Sequence, residues 1–165
     1  MPTSISKLSD LLSEKIKNTN IVIEKNLVSK ETKIIGDIAS HLINSGGKRI
    51  RPLLTLAVSE LFGYQGDKDT FLAAAIEYIH SATLLHDDVV DRSEKRRGLK
   101  TANLIWTNKY SVLVGDFLFS RAFQLMVRTG SLRIMKTLSD ASAIISQGEI
   151  LQVGIEKKLD ASKED

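Results

Sequence analysis

Apolar side chains recur every three or four positions along most of this chain, the spacing of helices that each bury one face. The pattern predicts helices over 4–17, 20–44, 52–62, 70–92, 101–107, 111–128 and 132–155. Gly46-Gly47, residues 63–67, Gly98 and Gly130 punctuate them. Only two prolines occur, Pro2 and Pro52, and no run alternates with the period of a strand. The expected fold is an all-α bundle.

The 111–128 segment is apolar on nearly every side, with Val112, Leu113, Val114, Phe117, Leu118, Phe119, Phe123 and Met126. Such a helix needs partners all round. In 132–155, Ile134, Leu138, Ala141, Ile145 and Leu151 are also spaced for burial. The charged run 156–165 supplies no closing element. The expectation is a bundle that this chain does not complete, with apolar surface exposed on both helices and poor solubility as a result.

Composition narrows the chemistry. The 165 residues include no cysteine, which excludes disulfides, zinc thiolates and thiol catalysis. Lys and Arg outnumber Asp and Glu by only 23 to 20, so no global charge favours nucleic acid. The N-terminal residues mix acids and bases without an apolar signal core. No stretch has the apolar length of a transmembrane helix. A cytoplasmic protein is expected.

Charge becomes informative on one helix. Residues 80–91 read HSATLLHDDVVD. At about 100° per residue, Asp87 and Asp91 share a face one turn apart, and His80 lies about 20° from Asp87 two turns earlier. Asp88 adjoins them. Three crowded carboxylates repel one another, and the C-terminal end of a helix disfavours anions further. A hard divalent cation reverses that sign, because magnesium takes carboxylate and phosphate oxygens and keeps several waters. A solvated acidic patch is the plain alternative. The apolar runs around it, 73–79, Leu84-Leu85 and Val89-Val90, favour a cleft.

Two basic clusters flank the acids. The first is Gly46-Gly47-Lys48-Arg49-Ile50-Arg51-Pro52. Proline suits the first turn of a helix, so these bases precede a helix N-terminus, where cations are disfavoured and anions bind. The second, Arg96-Arg97-Gly98, follows Asp91. A basic pair before glycine commonly ends a helix, yet two guanidinium groups beside metal-binding acids also suit bidentate phosphate contact. A nucleic-acid-binding module using these bases is disfavoured by the acids between them.

In this order and spacing, Gly46 to Pro52, His80, Asp87 to Asp91 and Arg96 to Gly98 resemble the first half of the polyprenyl synthetase family. The stretches 80–91 and 112–127 are most similar to bacterial octaprenyl and other long-chain members. The resemblance covers about 45–155 and implies an isoprenoid-synthase-type helical bundle. On that basis residues 1–165 form the N-terminal part of a single such domain. It implies an enzyme that condenses isopentenyl diphosphate with an allylic prenyl diphosphate in the presence of Mg2+. The product would be an all-trans polyprenyl diphosphate of long chain, such as a quinone side-chain precursor.

The resemblance also implies roles. Asp87 and Asp91 are the expected magnesium ligands, with Asp88 supporting them. Lys48, Arg51, His80 and Arg97 are expected to hold isopentenyl diphosphate, and Arg96 the allylic diphosphate. Ile79, Ala82 and Thr83, none aromatic, are expected to floor a deep product cavity. Small residues pack helices closely too, so the floor has a plain alternative. Gln152, in Gly148-Glu149-x-x-Gln152, is expected near the cavity, and His86 is read as a structural neighbour of the acids. Leu99-Lys100 departs from the family's lysine-first pattern, which leaves Lys100 without an implied role.

A homodimer and, for product release, peripheral membrane contact are further implications. Family members are about twice as long and carry a second aspartate-rich motif, and this sequence has no second Asp-Asp-x-x-Asp. Slow or absent turnover by the chain alone is therefore expected. The rival reading is a non-catalytic or partial subunit of a heteromeric prenyl synthase.

Overall fold

The computed structural model describes residues 4–27, 32–47 and 49–161. It contains helices α1 (Ser4–Leu11), α2 (Ser13–Leu27), α3 (Lys33–Asn44), α4 (Ile50–Leu61) and α5 (Lys68–Val90). A hairpin of β1 (Lys95–Arg96) and β2 (Leu99–Lys100) follows, then α6 (Ala102–Ile105), α7 (Asn108–Arg128) and α8 (Leu132–Ala161). The chain divides into two compact units, 1–129 and 130–165. The second consists, among its described residues, of α8 and the turn before it, where the Ser131 hydroxyl accepts from the Ile134 N–H.

The all-α expectation holds, with boundary corrections. The first helix breaks at Leu12, whose side chain is buried against Leu53, Leu56 and Ala73. The segment expected as one helix over 20–44 is divided between α2 and α3. The last helix continues through the charged run to Ala161, because Glu, Lys and Ala are good helix formers whatever their polarity.

Helix α5 organises the first unit. Ala73, Ala74, Ala75, Tyr78, Ala82 and Leu85 have no exposed surface, and the four small alanines let neighbouring helices approach closely. Tyr78 donates its hydroxyl to the Ile23 carbonyl at 2.5 Å, tying α5 to α2. Lys15 of α2 bridges Glu60 of α4 and the buried Asp69 of α5, at 3.0 and 2.9 Å. From α7, Val114, Leu118, Ala122, Leu125 and Met126 are buried. The same helix leaves Leu113, Phe123 and Val127 about half exposed, the exposed apolar surface expected there.

Candidate active site

The end of α5 determines where its acids and the following arginines go. Asp91 is the last residue of the helical turn, and Arg92 adopts φ 51°. The Ser93 N–H reaches the Asp88 carbonyl at 2.9 Å and the Arg92 N–H reaches that of Val89 at 3.3 Å, the double closure of a left-handed helix end. This stop turns the chain back on itself. Arg97 and Gly98, with φ 53° and 83°, form a two-residue turn between Arg96 and Leu99, the backbone pattern that suits a tight hairpin. Arginine is an uncommon choice for a left-handed position.

The return places Arg96 over Asp88. Both Nε and Nη2 of Arg96 lie 2.8 Å from Oδ1 of Asp88, a carboxylate only 1 % exposed. Thr101 pins the base of the hairpin by donating to the Ser93 carbonyl at 2.7 Å. The Arg96-Arg97-Gly98 run is therefore a hairpin turn and not a helix end.

Arg97 reaches the other way. Its guanidinium lies over Gly47, where an added Cβ would stand 2.7 Å from Nη1. Gly47, Arg49, Ile50, Arg51, Glu77, His80 and Arg97 line one cavity of about 250 Å3. Three elements that are distant in sequence thus converge: the loop before α4, the middle of α5 and the hairpin tip. Of the residues expected to hold isopentenyl diphosphate, Arg51, His80 and Arg97 meet here, and Lys48 lies outside the described residues. Burial pushes His80 down to about 4, helped by the charges of Arg51, Arg97 and Arg96. Its imidazole is neutral at physiological pH and offers one donor and one acceptor.

Glu77 is a member that the motif reading missed. It sits three residues before His80, and residues at that spacing share a helix face, which was the available signal.

Asp87 and Asp91 lie about 10 and about 16 Å further along the helix axis from His80, at 1.5 Å per residue. Asp87 is half-buried and Asp91 exposed, while Asp88 is occupied by Arg96. Among the described residues no three Asp, Glu or His side chains gather as a ready metal cage. Two hard carboxylates one turn apart still fit magnesium, which commonly takes one or two carboxylates and completes its shell with phosphate oxygens and water.

Beside the acids, α5 and α7 exchange hydrogen bonds. Ser111 donates to the Leu85 carbonyl at 2.9 Å, and His86 Nε2 lies 3.2 Å from the Val112 carbonyl and 3.4 Å from Asp116. Of the expected cavity floor, Ala82 is wholly buried, whereas Ile79 and Thr83 are partly exposed. Thr83 donates its hydroxyl to the His80 carbonyl at 2.9 Å. Lys100 offers its backbone carbonyl to His41 at 2.9 Å. Gln152 lies on α8, in the second unit. No helix among the described residues is long and apolar enough to cross a membrane.

Comparison with known proteins bears on the fold and the family. The chain is 42% identical over 150 residues to octaprenyl diphosphate synthase of Escherichia coli (strain K12), an alignment covering 91% of this chain and 46% of that protein. A decaprenyl diphosphate synthase from Rhodobacter capsulatus superposes with TM-score 0.88 at 52% identity, over 90% of this chain and 46% of the other. A polyprenyl synthase from Caulobacter crescentus CB15, solved with calcium and isoprenyl diphosphate, gives TM-score 0.88 at 49% identity, over 91% and 45%. The chain spans about half the length of the curated relatives it matches. The polyprenyl synthetase family model matches residues 32–165, and the chain belongs to that family.

Proposed function

We propose that this chain carries the substrate-binding half of a prenyltransferase site that elongates an allylic diphosphate with isopentenyl diphosphate. The carrying observation is the 250 Å3 cavity where Arg51, Arg97 and the neutral His80 meet, on the same helix as Asp87 and Asp91. Neither Arg51 nor Arg97 forms an ion pair with a described residue. Two guanidinium groups that converge on a cavity with one carboxylate, Glu77, in its lining suit a diphosphate, which accepts bidentate hydrogen bonds.

In this reading Arg51, Arg97, His80 and Lys48 hold the diphosphate of isopentenyl diphosphate. Asp87 and Asp91 hold Mg2+ and, through it, the allylic diphosphate; bound there, the ion neutralises charge on the departing leaving group. Asp88 acts by aiming Arg96. The guanidinium retains N–H groups beyond the two on Asp88, and those face the allylic diphosphate. Positioning and exclusion of water supply the rest, and no nucleophilic side chain is needed. The absence of aromatic rings at Ile79, Ala82 and Thr83 supports a long product.

The test is incubation with Mg2+, farnesyl diphosphate and labelled isopentenyl diphosphate. Labelled isopentenyl diphosphate is expected to bind at equilibrium and to enter prenyl product slowly or not at all, because this sequence has no second Asp-Asp-x-x-Asp of the kind the family resemblance implies. A protein that neither binds nor incorporates the label would contradict the assignment. Cytoplasmic placement and a homodimer follow from the same reading, and gel filtration checks the latter.

A further inference from the structure

A second cavity, of about 190 Å3, shares Gly47 and Arg49 with the diphosphate pocket. Ser9 of α1, Asn20 of α2, Gly47 and Arg49 contribute its polar wall, and Ile16 and Leu53 part of its apolar one. No acidic residue lines it. Arg49 Nη1 is buried and has no hydrogen-bond partner. Ser9 and Asn20 are half-buried. Ser9, Asn20 and Arg49 therefore border one space that no acidic side chain lines and beside which Arg49 Nη1 has no hydrogen-bond partner.

The side chain of Arg49 borders both cavities. The charges felt by His80 are those of Arg51, Arg97 and Arg96, with Arg49 not among them. Arg49 is also held at φ 44° and ψ 41°, a left-handed conformation that carries a cost for arginine. A buried guanidinium nitrogen without an acceptor adds a desolvation penalty. Asp10 and Glu24 border a neighbouring groove that shares Ser9 and Asn20, but they do not line this cavity.

We propose that this cavity is a second oxyanion site, which takes a phosphate-type group on Arg49, Ser9 and Asn20. The ligand chemistry is a tetrahedral phosphate, whether free inorganic phosphate or one end of an inorganic diphosphate. The site does not depend on the prenyl-transfer reading, because its donors are distinct from Arg51, His80 and Arg97.

Calorimetric titration of the chain with inorganic phosphate and, separately, with inorganic diphosphate tests it. The wild type is expected to show two binding events with diphosphate. Arg49→Gln should weaken one at least tenfold, Asn20→Leu should weaken the same one while sparing the other, and the double variant Arg51→Ala, Arg97→Ala should weaken the other. Tighter binding of phosphate than of diphosphate would mark the free anion as the natural occupant, and the opposite order would mark the diphosphate. Asn20→Leu fills the cavity without removing charge and serves as the deciding variant if Arg49→Gln does not fold. A titration left unchanged by both Arg49→Gln and Asn20→Leu would overturn the second site while leaving the first intact. Loss of all binding in the Arg51, Arg97 double variant would overturn it too, since a single pocket would then account for every event.

Discussion

The imidazole of His86 lies against Gly115 so closely that a Cβ at position 115 would overlap it. The ring also stacks on Phe119 at 6.1 Å and bonds to the Val112 carbonyl. Ser111 returns a hydrogen bond to the Leu85 carbonyl. The turn of α5 just before Asp87 is thereby registered against α7 by bonds running in both directions. Gly115→Ala is expected to expel the ring and to destabilise the fold by about 1–3 kcal/mol, as overpacking does. Chemical denaturation measures this, and His86→Ala in the Gly115→Ala background should recover part of the loss.

The Asp88–Arg96 pair holds the hairpin on α5. Because Asp88 is buried, Arg96→Ala would leave a carboxylate without its partner, at a cost of about 3 kcal/mol for the buried side of such a pair. Replacing both residues, Asp88→Asn with Arg96→Ala, should cost less than Arg96→Ala alone. A double-mutant cycle by urea unfolding checks that order.

His80 gives the site a pH signature. Its value in the folded chain, about 4, lies below the ordinary 6.5 because burial and then Arg51, Arg97 and Arg96 disfavour the proton. The unfolded chain therefore binds more protons below pH 6.5, and stability falls as the pH drops from there toward 4. Above that window His80 contributes nothing. His80→Gln should flatten the slope between pH 4 and 6.5 by the share due to this one group. Proton NMR of the imidazole should give a midpoint near 4, rising when diphosphate occupies the pocket; a midpoint near 6.5 would place the ring in solvent.

Ala82 and Thr83 are adjacent but face different surroundings. Ala82 is wholly buried and Thr83 is not. Ala82→Phe should cost about 3 kcal/mol or more, whereas Thr83→Phe should cost less and leave the fold intact. Thermal unfolding of the two variants checks this. In a complete enzyme, Thr83→Phe is expected to shorten the prenyl product seen by chromatography.

Much of this was legible in the sequence because each piece is local. The helices follow from apolar spacing. The separation of Asp87 from Asp91 and the shared stripe with His80 follow from helical geometry alone. What could not be read depends on the chain returning upon itself. The Arg96-Arg97-Gly98 run is compatible with either a helix end or a tight turn, and the left-handed Arg92 that selects the turn leaves no compositional mark. The occupation of Arg96 by Asp88, the placement of Arg97 over Gly47 and the seating of His86 on Gly115 all require a partner distant in sequence. Glu77 was within reach of the helical stripe but belongs to no quoted motif. The break at Leu12 leaves no mark in the apolar spacing, and the Leu53, Leu56 and Ala73 that cover it lie on α4 and α5.

Magnesium-dependent binding of a non-ionisable allylic diphosphate analogue tests the central claim most directly. Titration of the chain should show binding with Mg2+ that is lost on chelation, and Asp87→Ala and Asp91→Ala should each weaken it at least tenfold, while both variants still bind inorganic diphosphate in the arginine pocket without metal. Equal affinity with and without Mg2+, unaltered by either aspartate substitution, would contradict the account.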